Sequence, residues 1–195
     1  MALLTARLTG RRPAALLLCG LLAAAAAVGA PPKSDPNVES ALKAAVLFNF
    51  TKFIDWPADG FPDEKSPFNL CLLGDDPIGA SLDAIVVNES WNGRPLAVRR
   101  LPRGADPHAC QILFFGRTER ERQAENTEVL AGLRGANVLT VGESDRFLAE
   151  GGHIRFFLDA NRVRFEVNLA AVERTRIKIS SKLLRLAKLR QEEGD

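Results

Sequence analysis

From Val38 to Trp56 the chain carries neither glycine nor proline, and Val38, Leu42, Ala45, Val46, Phe50, Phe53 and Ile54 recur at helical spacing. Ala44 and Phe48 widen this apolar stripe, so the pattern predicts a helix buried over much of its circumference and stopped by Pro57. After a stretch rich in Pro, Asp and Gly at 58–67, short apolar runs alternate with helical ones. Strands are predicted at 68–73, 96–101, 111–115 and 138–141, and helices at 78–86, 119–133 and 145–150. Such alternation implies a largely parallel sheet covered on both faces, and right-handed crossovers make it doubly wound.

The last third changes period. In HIRFFLDANRVRFEVN, two strands alternate around a polar turn at 159–162, with Ile154, Phe156 and Leu158 on one face opposite Val163, Phe165 and Val167. LAAVERT predicts a short helix. Ser180 or Ser181 then caps a terminal helix striped by Leu183, Leu184, Leu186, Ala187 and Leu189. The expected fold class is α/β: a mostly parallel sheet flanked by helices, with a C-terminal antiparallel hairpin and a terminal helix.

The first thirty residues stand apart. Arg7, Arg11 and Arg12 precede AALLLCGLLAAAAAVGA, an uncharged run ending in small residues, which is the pattern of a secretory signal cleaved near Ala27 or Ala30. Leu18 is too bulky for a lipidation site at Cys19, and GRRP lacks the rest of a twin-arginine signal. The expected organisation is a signal peptide at 1–30, a flexible lead at 31–37, one α/β domain at 38–190 and a polar tail at 191–195. The expected location is the periplasm, with no insertion in the membrane once the signal is removed.

Export changes the charge and the cysteine count. Of 26 Lys and Arg, three leave with the signal, and the remaining 23 face 24 Asp and Glu. The exported chain is therefore near neutral and lacks the positive field that nucleic-acid binding needs. Cys71 and Cys110 remain, an even pair in an oxidising compartment, which reads as a structural disulfide. A metal reading recruits His108 beside Cys110 but lacks the paired ligand spacing of a zinc site.

LCLLGDDP, at 70–77, sets two carboxylates at the end of an apolar strand, where open α/β sheets bind ligands. GRT at 116–118 and GES at 142–144 stand at similar strand ends. A receiver-type phosphorelay domain needs an aspartate after its third strand and a lysine after its last parallel strand, and this chain offers Gly116-Arg117 and Gly142-Glu143 instead. Helix capping explains most of these polar residues. Asp76 before Pro77 reads as an N-cap, Thr118 with Glu121 as a capping box, and Ser144 as a further cap. Asp75 and Arg117 are left over, and with Glu143 they form a candidate ligand site at the strand ends.

Other catalytic schemes lack parts. There are two histidines, His108 and His153, no tyrosine, and no G-x-S-x-G, P-loop, G-x-G-x-x-G or H-E-x-x-H motif. His153 lies in a strand without a positioned partner, which is the setting of a structural histidine. Asn49-Phe50-Thr51 and Asn88-Glu89-Ser90 match the glycosylation pattern, a short motif that recurs by chance. No enzyme, metal or cofactor is expected.

Taken together, KAAVLFNFTKFIDWP, LCLLGDDPIGASLD, NGRPLAVRRL, CQILFFGRTE, NVLTVGES and the stretch from Gly151 to Ala187 resemble the YfiR family of exported bacterial proteins. The resemblance runs from about Ala41 to Ala187. It implies a non-enzymatic periplasmic regulator that binds the periplasmic domain of an inner-membrane diguanylate cyclase and restrains it, lowering cyclic di-GMP and biofilm formation. It also implies oxidative folding with Cys71 and Cys110 as the bridge, and it is compatible with a homodimer; with no catalytic residues in view, the expectation is a partner-binding repressor in which reduction of the bridge shifts the chain toward a non-binding form. Relatives with more cysteines have no counterpart here for a second bridge. Phe50, Phe53 and Leu184, on the two apolar helices, are candidate partner contacts. The rival expectation is a periplasmic small-ligand module built on Asp75, Arg117 and Glu143; a weaker third is a hydrolase using His108 or His153.

Overall fold

The computed structural model describes residues 35–102, 104–116 and 123–190. The expected signal, most of the lead, Arg117, the Thr118–Glu121 capping box and the polar tail lie outside the described residues. Among the described residues no helix is long and apolar enough to cross a membrane.

Helix α1 spans Pro36–Phe53. Asp35 caps it by accepting a hydrogen bond from the Asn37 N–H, and Pro36 occupies the first turn, so the helix begins inside the segment expected as a lead. It also stops earlier than Pro57 requires. Ile54–Asp55 (β1) turns extended and pairs with Lys178–Ile179 (β9) in a small antiparallel sheet. That pairing, together with the Ser180 N–H bonded to the Phe53 carbonyl, fixes the end of the helix. The buried face differs from the apolar stripe: Lys43, Ala44, Leu47, Phe48, Phe50 and Thr51 point inward, while Val38 and Leu42 are exposed.

The central sheet has eight strands in the order β10-β8-β7-β6-β5-β2-β4-β3. These are Phe68–Leu73 (β2), Ser90–Trp91 (β3), Arg94–Leu101 (β4), Ile112–Phe115 (β5), Leu139–Gly142 (β6), Ile154–Asp159 (β7), Arg162–Asn168 (β8) and Lys188–Arg190 (β10). β4, β2, β5, β6 and β7 run parallel, which requires a crossover between each sequential pair. β2 and β5 are buried along their whole length, as the unbroken apolar runs FNLCLL and ILFF demand of strands covered on both sides.

Helix α2 (Gly79–Val86) packs beside α1 on one face, and the larger core lies beneath them. Phe50 sits at its centre, stacked 5.9 Å from the Phe156 ring and edge-on to Phe165. On the other face, Leu130 of α3 (Gln123–Gly132) and the Leu133 that follows it close a second core with Leu113, Phe115, Phe147 and the two cysteines. Helices on both faces of a mostly parallel sheet meet the expected fold class.

The hairpin register follows the alternation. Ile154 pairs with Val167, Phe156 with Phe165, and Leu158 with Val163. Leu169–Glu173 forms the short helix α4, capped by the Asn168 side chain. Three expectations need correction. Residues 145–150 form successive turns, not a helix, so Ser144 caps none: the Phe147 ring sits where a Cβ on either Gly142 or Gly152 would fall, at 2.5 Å and 2.3 Å. This packing bends the chain back between the two glycines. The terminal helix is only Ser181–Leu184 (α5), capped by Ser180 as expected, because the chain then leaves it to pair as β10 with β8. Asp76 is not a cap either. α2 starts at Gly79 without a side-chain cap, and the Asp76 carboxylate instead accepts from Arg100 Nε at 2.8 Å.

Candidate functional site

The chain order reverses about β2, with β4 on one side and β5 on the other, so the ends of β2 and β5 are where an open α/β sheet would hold a ligand. That position is closed. The Gly116 N–H donates to the Leu73 carbonyl, and a Cβ at Gly116 would fall 1.8 Å from the Asp75 carbonyl oxygen. Only glycine permits this approach. Asp75, exposed beyond it, does not line a cavity there.

The open space lies one step further along, beyond the ends of β5, β6 and β7. A cleft of about 580 Å³ is lined there by Phe115, Gln123, Asn126, Glu143, Glu150 and Arg155, among others. Glu143 therefore reaches the cleft, as its place after β6 predicts, whereas Arg117 is outside the described residues. Lys43 comes from the first turns of α1, and its ammonium is bracketed by Glu39 at 2.5 Å and Glu143 at 2.8 Å, with its side chain 7% exposed. Opposite it, Arg155 projects from β7 away from Ile154 and Phe156, bonds Glu166 and Asp145, and lies 5.5 Å from the Phe157 ring.

These buried charges are acceptable only because they are paired. Lys43 pins α1 across the end of β6, and Arg155 ties the hairpin to the turns at 145–150. Neither residue belongs to the apolar pattern. The Glu39–Lys43 spacing of four was the one sequence signal that pointed to Lys43, and strand alternation the one that pointed to Arg155. The cleft thus combines hydrogen-bonding side chains with ion pairs on an aromatic floor, an arrangement suited to holding a polar molecule. Among the described residues no group of three or more His, Cys, Asp or Glu could hold a metal.

The remaining candidates are dispersed. Phe50 has no exposed surface and belongs to the core; Phe53 and Leu184 are partly buried against it. His108 is exposed in a single 3₁₀ turn, its Nδ1 2.6 Å from Asp106. His153 is buried on the other face beside a second cavity of about 290 Å³. Its Nδ1 accepts from the Thr140 backbone N–H at 3.1 Å, and its own N–H donates to Thr140 Oγ1. Burial, reinforced by the Arg174 charge, lowers its pKa to about 4, so it is neutral and structural at ordinary pH. The two histidines lie apart from each other and from the cleft.

A match to the YfiR/HmsC-like family model extends over residues 40–188. The chain belongs to the YfiR/HmsC-like family. In this YfiR/HmsC-like chain the matched region runs from within α1 to the first residue of β10, and so includes the hairpin, both cysteines and the cleft apart from Glu39. Cys71 of β2 and Cys110, which leads into β5, form a disulfide with their Cα atoms 5.9 Å apart. Both are buried in the second core, at 0% and 1% exposure.

Sequence reasoning did not find the polar network next to that bond. Gln111 is buried: its Oε1 accepts from the Asn69 N–H at 2.7 Å, its Nε2 donates to the Gly60 carbonyl, and its own carbonyl accepts from Trp56 Nε1. Asn69 in turn donates to Ala109. Covalent and polar links therefore join β2, the segment before β5 and the loop after α1 at one place.

Proposed function

We propose that this chain is an exported regulatory protein, without catalysis of its own, that binds the periplasmic domain of an inner-membrane diguanylate cyclase. Binding restrains the cyclase and lowers cyclic di-GMP signalling. Membership of the YfiR/HmsC-like family over residues 40–188 carries this reading. Two features support it. The cleft's central charges, Lys43 and Arg155, are engaged in bracing elements of the fold. The outer face of α1 also offers a partner exposed apolar side chains, Val38 at 54% and Leu42 at 49%.

The bridge acts in this reading through folding. Because both sulfurs are buried, a reductant reaches them when the chain opens, and restraint is lost as the folded population falls. Deleting the gene in the host and measuring cyclic di-GMP tests the proposal. The level rises and returns when the wild-type chain is supplied in the periplasm; an unchanged level defeats it.

The cleft favours a second reading, in which the domain senses a small polar ligand, alone or to modulate its protein partner. Screening the purified chain against small polar metabolites checks it. A saturable rise in melting temperature that is lost in Glu143→Gln supports the reading, and the absence of any such rise removes it.

A further inference from the structure

Charge is divided unevenly along the chain. Residues 35–152 hold 18 Asp and Glu against 12 Lys and Arg, whereas residues 153–190 hold ten Lys and Arg against three Asp and Glu. The fold gathers four of these cations at one edge of the sheet. Lys188 and Arg190 of β10 stand opposite Glu166 and Asn168 of β8, so they project to the same side as those residues. Arg164 and Arg162 lie two and four positions back along β8 and share that side, because side chains alternate along a strand. The opposite side of β8 is the one that packs Phe165 against Phe50.

These cations are not neutralised within the fold. Arg162, Arg164 and Arg190 are exposed and make no ion pair among the described residues, nor do Lys182 and Arg185 on the neighbouring α5. Lys188 has one carboxylate at 3.9 Å. Leu186, in the turn between α5 and β10, is 70% exposed beside them, whereas Leu189, opposite Val167, projects to the other side of β10.

We propose that the β10 edge, with Arg162, Arg164, Lys188 and Arg190 and the adjoining Leu186, docks on an anionic phospholipid bilayer. Three observations favour a bilayer over a protein. The cations spread over a hairpin, a helix and an edge strand without enclosing a pocket, which suits a planar field of headgroups. Leu186, exposed in the turn that leads into β10, adds an apolar side chain for the interfacial region beside the cations that meet phosphates. The acidic body and basic edge make the molecule a dipole, which orients it edge-first toward a negative plane. A second copy joined about a two-fold axis would set the same cations against one another. The surface adjoins the cleft through Glu166, which meets both Arg155 and Lys188, and does not depend on which protein is the partner.

Cosedimentation of the exported, oxidised chain with vesicles tests this. The chain pellets with phosphatidylglycerol–phosphatidylcholine vesicles at low salt, is released by salt, and stays in solution with phosphatidylcholine alone. The exposed-site variant Lys188→Gln, Arg190→Gln, checked for an unchanged unfolding midpoint, partitions about thirty-fold less at the usual contribution of each surface cation. Leu186→Ser weakens binding, and a chain ended after Arg190, which lacks the three carboxylates of 191–195, binds more tightly. No pelleting with the anionic vesicles at low salt overturns the proposal, as does equal partition of the glutamine variant. Binding to poly-glutamate with none to vesicles overturns it in favour of an acidic polypeptide.

Discussion

Removing the Cys71–Cys110 bridge by the double substitution Cys71→Ala, Cys110→Ala destabilises the domain without changing its fold. The cysteines are 39 residues apart, and closing a loop of that length reduces the entropy of the unfolded chain by an amount worth about 4 kcal/mol. Both sulfurs fill space in the second core, so their loss adds a packing penalty in the same direction. For a domain of this size about 4 kcal/mol corresponds to a fall in melting temperature of roughly 8–16 °C. Urea unfolding with and without reductant, alongside the variant, measures it: the midpoint falls, and the slope steepens because the unlinked denatured chain is more expanded. A variant whose midpoint matches the oxidised wild type refutes the loop-entropy argument. Rapid reduction of the bond in fully folded protein refutes the claim that the core shields it.

Three further outcomes follow from named contacts. Gln111→Ala leaves the buried Asn69 N–H without its acceptor and lowers stability by about 1–3 kcal/mol in urea unfolding, and an unshifted midpoint contradicts this. Lys43→Ala strands Glu39 and Glu143 at the rim of the cleft and lowers stability by about 3–5 kcal/mol, whereas a loss below about 1 kcal/mol shows that the pairs are solvated. The His153 pKa is depressed to about 4 in the folded state, so the unfolded chain takes up a proton that the folded chain refuses. Stability is full above the unfolded value near 6.5 and is lost as pH falls toward 4, by about 2 kcal/mol between pH 7 and 5. A midpoint that is flat over that window, or equally sloped in His153→Gln, shows that His153 is not responsible.

Much of the sheet could be read from periodicity because its strands obey local rules. FNLCLL and ILFF are apolar throughout because both faces are covered, and the hairpin fixes its register by alternation alone. Where the reading failed, a long-range contact overrode a local preference. LLRLAKLR has a helical stripe, but the main-chain groups along the open edge of β8 draw Lys188–Arg190 out of the helix and into the sheet. α1 turns Val38 and Leu42 outward because Lys43 is drawn in by Glu143, a hundred residues away in sequence. The acidic pair at 75–76 is a turn closed by Gly116 and an ion pair to Arg100, with no ligand position between them. The cleft was only half legible: Glu143 was marked by its place after a strand, whereas Arg155 and Glu39 meet it through tertiary packing.

The proposed action of the chain is to bind a membrane cyclase. The most direct test uses the oxidised chain without residues 1–30 as bait for affinity capture from detergent-solubilised envelope of its own host, with mass spectrometry of what is retained and a Cys71→Ala, Cys110→Ala bait beside it. Specific retention of a membrane diguanylate cyclase through its periplasmic domain is expected, reduced with the variant in proportion to its unfolded fraction. Retention of no membrane cyclase by the folded, oxidised chain contradicts it.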